Sequence, residues 1–338
     1  MCIRDRVTDD FIMAGTPEEL KAFTDALAKR FTLKNINRGN RHMFHGMLIE
    51  QDQSFSVKVS MKEYLDRVKP LQLSTARLAN KDATADDREL SEYRSLAGSL
   101  LYLGQAVLPH ACYVASKMQQ RINRLKVHHL RDANDMLADL KRAGATIRYI
   151  APGDIKSVRL ASFSDASHGS INETYGQTGF LSGLLVQQDG DAPPLFSVVA
   201  WSSHKQHRIS YSSYGAEILA AADSDDRGFM IKCAVLEIFQ LREFQHELLV
   251  DSKSLFETIT TLHNSGDYRL RKTVSRMRDS FESEELNVLR WVPDTVNYAD
   301  AMTKRNLRLN YGLTRMLQSG IWNLDYTRGA KLDSSQWR

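Results

Sequence analysis

Short apolar runs separated by polar turns mark the first 60 residues. The stretch "FIMAG" (11–15) predicts a strand, and "TPEELKAFTDALAKRF" (16–31) predicts a helix whose apolar positions recur at helical spacing. That helix opens on Thr16 and Pro17 with two glutamates in its first turn, which favours a helix start. The stretches "MFHGMLIEQ" (43–51) and "SFSVKVSM" (54–61) together predict a hairpin.

The middle of the chain changes from polar to helical. Residues 66–90 carry little apolar pattern, as in a linker or a long loop. Residues 91–144 show helical spacing in two or three segments. The cationic side chains of this helical stretch suit a solvated helix face and a phosphate-facing one equally well.

From residue 157 onward, strands and helices alternate. Three strand-like runs, "VRLASFSD", "TGFLSGLLVQQ" and "FSVVAWSS", precede a long helical segment over about 214–241. Then come the strand "HELLVD", helices, the strand "NVLRWVP" and a short terminal helix. This order of elements is typical of an α/β domain with a mixed sheet.

Length, charge and cysteine content limit the number of domains and the compartment but do not indicate a function. A chain of 338 residues is long enough for two domains or three small ones, each with its own core. The net charge of +4 is weak support for a polyanionic partner. The three cysteines lie far apart and match no zinc or disulfide spacing, so we expect free thiols in a reducing compartment.

Targeting signals are not recognisable in the sequence. No apolar run approaches the roughly 20 residues that a membrane-spanning helix needs. The start "MCIRDR" lacks the apolar core of a signal peptide. It is followed abruptly by "VTDDFIMAG", as if a domain had been cut, and we therefore expect a fragment.

Four acidic residues stand near the ends of predicted elements in the second half. They are Asp165, Glu217, Asp251 and Asp300. Each has an ordinary structural explanation, as a turn residue, a helix cap or a favourable charge at a helix start. Together they also suit a two-metal site, because hard divalent cations take oxygen ligands from several carboxylates.

The segment from Asp165 to Lys304 resembles the ribonuclease H domain of Ty1/copia-type retrotransposon polyproteins. The matching stretches are "SFSDASHGS", "TGFLSGLLV", "AWSSHKQHRISYSSYGAEILAA", "LLVDSKSL" and "NYADAMTK". The resemblance implies that Asp165, Glu217, Asp251 and Asp300 are the catalytic metal ligands. One departure is Gly215, which stands where the family usually has a further acid that is not a ligand.

The first half resembles the reverse transcriptase of the same polyproteins. "VTDDFIMAG" is similar to the Tyr-Val-Asp-Asp turn of polymerases, which would make Asp9 and Asp10 a polymerase remnant. "RHMFHGMLIEQ" resembles the primer-contacting hairpin, and "EYRSLAGSLLYLGQAVLPHACYVASKMQQ" the region before ribonuclease H. The fingers, most of the palm and a third polymerase carboxylate do not precede Val7, so we expect polymerase activity to be lost.

The resemblance also implies an architecture. It predicts an α/β chain in which an α+β polymerase remnant precedes a ribonuclease H-like mixed five-stranded sheet with flanking helices. The expected domains are a palm piece over 1–65, a helical thumb or connection region over 66–150, a ribonuclease H-like domain over 157–305 and a tail over 306–338.

The implied activity is hydrolysis of the RNA strand of an RNA–DNA hybrid with two Mg²⁺ ions, or Mn²⁺. The expected partners are that hybrid and the missing upstream polymerase and integrase parts of the polyprotein, in the cytoplasm (in a virus-like particle) or the nucleus. The candidates for contact with the nucleic-acid backbone are Ser202, Ser203, His204, Lys205, Gln206 and Arg208.

Two alternatives to hydrolysis of a hybrid stay open at this point. One is a non-catalytic relic of a retroelement that binds nucleic acid without cleaving it. The other is an integrase-type nuclease, which is disfavoured because Glu217 lies between the first and second aspartates.

Overall fold

The computed structural model describes residues 3–7, 10–34, 36–169, 175–188, 190, 192–261, 267–305, 307–322 and 330–336. It opens with an antiparallel pair, β1 (Ile3–Val7) and β2 (Asp10–Ala14). The predicted helix follows as α1 (Pro17–Ala28). The side chain of Thr16 accepts a hydrogen bond from the Glu19 amide, and the Glu19 carboxylate accepts one from the Thr16 amide. This capping box confirms the helix start read from the sequence.

A four-stranded antiparallel sheet comes next, in the order β3 (Arg41–Phe44), β4 (Met47–Gln51), β5 (Val57–Ser60) and β6 (Thr146–Tyr149). The antiparallel pairing of β4 with β5 confirms the hairpin predicted from residues 43–61. The stretch "MFHGMLIEQ" also contains the turn of an earlier hairpin, formed by β3 and β4, which was not predicted. His45 and Gly46 both have positive φ, 49° and 71°, as a two-residue turn between twisted strands requires. The strand β6 was not predicted.

Five helices lie between β5 and β6. They are α2 (Lys62–Arg67), α3 (Thr75–Ala79), α4 (Asp87–Ala106), α5 (Pro109–Arg121) and α6 (Val127–Ala143). The last three match the predicted helical stretch. The polar region 66–90 contains α3, which is held to α4 by a bidentate Arg77–Glu89 pair with both N···O distances at 2.8 Å.

Within the described residues, the second half forms a six-stranded mixed sheet. The strands β7 (Val158–Ser167), β8 (Gln177–Val186) and β9 (Leu195–Lys205) are antiparallel neighbours. After α7 (Ser213–Phe239), β10 (His246–Val250) pairs in parallel with β7. The helices α8 (Lys253–Thr260) and α9 (Arg271–Glu282) lead to β11 (Val288–Trp291), which is parallel to β10. This topology is that of a ribonuclease H-like fold and confirms the predicted class.

The sheet has one strand more than the five predicted. The extra strand, β12 (Lys331–Asp333), pairs antiparallel with β11 at the edge. Before it, a short 3₁₀ helix (Tyr298–Met302) leads to α10 (Leu307–Ser319), whose Leu313 and Met316 are fully buried. The described parts of 306–338, which we expected to be a tail, therefore contribute to the core. The domain boundaries stay a prediction.

An aromatic cluster joins the sheet to the end of α10. The Trp322 ring stacks on Phe163 of β7 at 5.1 Å and meets Phe196 of β9 edge-on at 4.7 Å. On the same side, the Trp201 indole donates a 2.7 Å hydrogen bond to the Gly104 carbonyl of α4. The helices α4 to α6 and one face of the second sheet thus share one core. Among the described helices, none is long and apolar enough to cross a membrane.

Candidate metal centre

Asp165 lies in the central strand β7, two residues before its end, and it is 1% exposed. Its partner across the antiparallel ladder is Gly179 of β8. A Cβ at Gly179 would lie 2.6 Å from the Cβ of Met302 and 2.8 Å from a methyl carbon of Thr303. The glycine therefore leaves room for the 298–303 segment to pack directly beside Asp165.

Glu217 lies in the second turn of α7, and not in the first turn as predicted. Small side chains allow α7 to approach β7, since Ala166, Ala216 and Ala220 form a small apolar cluster at this contact. The helix starts at Ser212, whose hydroxyl accepts a hydrogen bond from the Gly215 amide. A Cβ at Gly215 would lie 2.6 Å from the Ser210 hydroxyl, so the acid expected from the family pattern would require this side chain to move.

Asp251 follows the last residue of β10 directly. Because β10 runs parallel to β7, the carboxyl ends of the two strands lie at the same edge of the sheet. One oxygen from each of Asp165, Glu217 and Asp251 lies within 4.8 Å of the other two. The structure therefore brings three of the four predicted ligands together in a group that could bind a metal ion.

The electrostatics of the three acids reflect burial and crowding. Burial raises the pKa of Asp165, against the opposing effects of Lys304 and a hydrogen bond from Thr303. Burial, and then repulsion from Asp165 and Asp251, raises the pKa of Glu217 to about 10. Burial and repulsion from Asp165 raise the pKa of Asp251 to about 6. Such a site holds like charges close together without enough compensating positive charge, which favours a cation.

Asp300 lies in the 3₁₀ helix and is 2% exposed. Its carboxylate pairs with the ammonium group of Lys304, and the Thr303 hydroxyl donates a hydrogen bond to Asp165 Oδ2. The Asp300 turn thus contacts the acid cluster through Thr303, although Asp300 is not among the three acids that converge within 4.8 Å. Its assignment as a fourth ligand stays a prediction.

Lys304 and Thr303 were missed by the sequence reasoning as members of the site. The positive charge of Lys304 lowers the pKa of each of the three acids. A signal was present, because a lysine four residues after Asp300 is spaced for an ion pair on one helical face. The hydroxyl of Thr303 left no comparable signal in the sequence.

The residues predicted to contact nucleic acid lie on β9 and just beyond it. Lys205 and Arg208 are exposed, and Ser202 and His204 are half-buried and 3.2 Å apart. The Ser203 hydroxyl donates to the Met302 carbonyl, and Gln206 is 4% exposed. These contacts show internal structural roles for two of the six, and contact with nucleic acid stays a prediction for the set. That set comprises Ser202, Ser203, His204, Lys205, Gln206 and Arg208.

The polymerase remnant proposed at Asp9 and Asp10 stays a prediction. Asp9 lies outside the described residues, and only the backbone of Asp10, the first residue of β2, is described. The predicted strand turn is consistent with the antiparallel pairing of β1 with β2.

Comparison with known proteins identifies a retroelement relationship. A transposon Ty5-1 protein of Saccharomyces cerevisiae is 23% identical over 230 residues, which are 64% of this chain and 70% of the yeast protein. The chain is a distant homologue of this Ty5 protein. This confirms the resemblance to Ty1/copia-type polyproteins. No family model matches the sequence.

Solved structures with similar chain paths include ribonucleases H and a viral reverse transcriptase. RNase H1 of Halobacterium salinarum is 20% identical, and the match covers 43% of this chain and 94% of the RNase H1 chain, with a TM-score of 0.31. LC11-RNase H1, solved with an RNA/DNA hybrid, is 14% identical over 43% of this chain and 94% of its own, with a TM-score of 0.32. The foamy viral protease-reverse transcriptase, solved with dsDNA, is 13% identical, and the match covers 81% of this chain and 52% of the viral chain, with a TM-score of 0.40.

Proposed function

We propose that this retroelement protein is a ribonuclease H-type endonuclease that hydrolyses the RNA strand of RNA–DNA hybrids. The observation that carries the proposal is the convergence of Asp165, Glu217 and Asp251 within 4.8 Å at the end of the central strands. The distant relationship to a Ty5 transposon protein agrees with a retroelement origin. The protein would act in the cytoplasm, inside a virus-like particle, or in the nucleus.

The donor set fits a hard divalent cation. Three carboxylates with raised pKa values would hold Mg²⁺ or Mn²⁺, and we propose Asp300 as a further ligand. When bound, two such ions would supply an activated water and charge stabilisation at the leaving 3′-oxygen.

The chain's own residues position this chemistry. The Thr303 hydroxyl donates a hydrogen bond to Oδ2 of Asp165 and thereby orients this carboxylate within the group formed with Glu217 and Asp251. Lys304 is half exposed and adds a positive charge beside the carboxylates, where a phosphodiester would approach. No side chain is required to form a covalent intermediate.

Partners and organisation are part of the same proposal. We infer an RNA–DNA hybrid as substrate, with 2′-hydroxyl contacts as the means of telling RNA from DNA. The segments 1–65, 66–150, 157–305 and 306–338 are retained as proposed units, and the upstream polymerase and integrase parts as proposed partners. DNA synthesis by this chain alone is not expected.

The test is cleavage of an end-labelled RNA–DNA hybrid with Mg²⁺. The wild-type chain should cut the RNA strand and leave the DNA strand intact. Asp251→Asn should lose at least about 100-fold of the rate, because it removes one of the three carboxylates that would hold the metal. Asp294→Asn is the matched control, since Asp294 is an exposed residue of a nearby turn and should keep full activity.

The alternative function, a non-catalytic relic, makes a different prediction in the same assay. A wild-type chain that binds the hybrid in a gel-shift experiment, but cuts neither strand with Mg²⁺ or Mn²⁺, would support the relic. Cleavage of equal rate by the wild type and Asp251→Asn would point to a contaminating nuclease and refute the assignment of the site.

A further inference from the structure

A cavity of about 500 Å³ opens between three helices, away from the three converging acids. Its walls come from the start of α5, the second half of α6 and the length of α10. This volume is within the range of pockets that bind small organic ligands. Neither the proposed hydrolysis nor the family resemblance gives it a role.

One wall of the cavity is apolar. Val114 of α5 packs there with Met136, Leu140 and Ala143 of α6. Val114 and Met136 are each 7% exposed, so the wall is part of the core and is held in place. Such a surface suits the face of a flat ring.

Buried polar atoms without partners also surround the cavity. Within the described residues, His110 Nδ1, Asn310 Oδ1 and Thr314 Oγ1 have no hydrogen-bond partner. His110 is 3% exposed and Thr314 is 6% exposed. A buried polar group left unpaired is unfavourable, so three such groups at one cavity call for an explanation.

The neutral His110 ring can both donate and accept a hydrogen bond. Burial lowers the pKa of His110 to about 4, so the ring is neutral near pH 7 and has one donor and one acceptor nitrogen. Asn310 adds an acceptor and Thr314 a hydroxyl that can donate or accept. This combination matches the edge of a nucleobase, which has both donors and acceptors.

The rim of the cavity is positively charged. Arg142, Arg305 and Arg315 line it, and one carboxylate, Asp139, pairs with the first two. The Arg315 guanidinium lies 5.9 Å from the centre of the Tyr311 ring, which is itself 66% exposed. Three guanidinium groups against one carboxylate leave an excess of positive charge suited to a phosphate.

We propose that this cavity binds a single nucleotide. The base lies against the apolar wall, its edge reaches His110, Asn310 and Thr314, and its phosphate is held by the arginines of the rim. An apolar ligand would leave the polar atoms unpaired, and an inorganic anion would leave the apolar wall unfilled. The proposal does not depend on metal binding at the three acids.

The position of the cavity allows two sources of this nucleotide. Arg305 lines the cavity, and the preceding residue, Lys304, pairs with Asp300 beside the acid cluster. A free mononucleotide and an unpaired nucleotide at the end of a bound strand have the same recognisable chemistry. They are separated by testing mononucleotides against a hybrid with a single-stranded overhang.

The test is isothermal titration of the full chain in EDTA with AMP, GMP, CMP and UMP, and with blunt and overhanging RNA–DNA hybrids. At least one mononucleotide, or the overhang relative to the blunt hybrid, should bind more weakly to Thr314→Val and Arg315→Gln, by about tenfold each. Thr314→Ser keeps the hydroxyl and should bind as the wild type does.

Two further variants complete the test. Arg67→Gln removes an exposed arginine of α2, whose partner is Glu63, and should leave binding unchanged. Asp294→Asn, the matched control of the hydrolysis assay, should also bind the nucleotide normally. A failed hydrolysis assay would not affect this result, because the titrations contain EDTA. Binding that Thr314→Val and Arg315→Gln leave unaltered, or no binding by any probe, would overturn the proposal.

Discussion

Substitution of Glu217 by glutamine should stabilise the metal-free protein while abolishing hydrolysis. The side chain of Glu217 is half-buried near Asp165 and Asp251, and its pKa is raised to about 10 from an ordinary value of 4.5. The unfolded chain releases this proton above about pH 4.5, whereas the folded chain retains it up to about pH 10. Stability of the metal-free protein therefore falls as pH rises through that window.

The magnitude follows from the size of the window. At pH 7 the solution lies about 2.5 pH units above the ordinary carboxyl value, and each unit corresponds to about 1.4 kcal/mol. Glutamine has no proton to lose, so Glu217→Gln should raise the free energy of unfolding by up to about 3 kcal/mol at pH 7. The gain should be smaller at pH 5 and larger at pH 8.5.

The assay is urea unfolding in EDTA at these three pH values, followed by circular dichroism. Glu237→Gln, on the exposed side of the same helix, is the matched control and should change stability little at any pH. Addition of Mg²⁺ should stabilise the wild type more than Glu217→Gln, because the variant lacks one charged ligand. Equal stability of Glu217→Gln and the wild type in EDTA at pH 8.5 would refute the account of the site as crowded carboxylates.

Substitutions at three other positions test one charge beside the site and the packing of the fold. Lys304→Met should lower the stability of the metal-free protein by about 1 kcal/mol or less, since the ammonium group is half exposed and screened by solvent. Lys304→Arg keeps the charge and should not lower it. Urea unfolding in EDTA measures both variants, and equal losses of stability would contradict a role for the charge. Gly228→Ala puts a Cβ 2.2 Å from Nε2 of the buried His246 ring, which also contacts Ser162. The variant should be less stable, because overpacking costs about 1–3 kcal/mol and the gain in helix propensity is only about 1 kcal/mol. A higher melting temperature than that of the wild type would contradict this. Trp322→Ala should lower the free energy of unfolding by about 3–5 kcal/mol, because it leaves a cavity beside Phe163. A decrease of less than about 1 kcal/mol in chemical unfolding would show that the aromatic cluster is not part of the core.

The sequence predicted elements with strong periodic signals. The three antiparallel strands, the long helix and the two following strands have unbroken apolar runs or helical spacing, and each was found in the structure. The strands β6 and β12 were missed because "TIRY" and "KLD" are too short to show alternation, and their pairing depends on distant partners. Likewise, the turn at His45 and Gly46 was hidden inside an apolar run.

The candidate site was predictable to the extent that carboxylates follow strand ends. Asp165 and Asp251 come together because β7 and β10 are parallel neighbours, and the sequence indicated that order of elements. The contribution of Thr303 could not be predicted, because it depends on how the 3₁₀ turn packs over Gly179. Such contacts arise from tertiary packing, which local sequence does not encode.

The pairing of β5 with β6 has a consequence for synthesis on the ribosome. Ser60 and Thr146 lie 86 residues apart in sequence, with α2 to α6 between them, yet they are partners in one ladder. A chain emerging from its N-terminus can form the β3–β4–β5 meander early, but β5 keeps an unpaired edge until the helices and β6 have been made. During that interval the nascent chain exposes an edge that another chain could join, so aggregation should be most probable before residue 146 emerges.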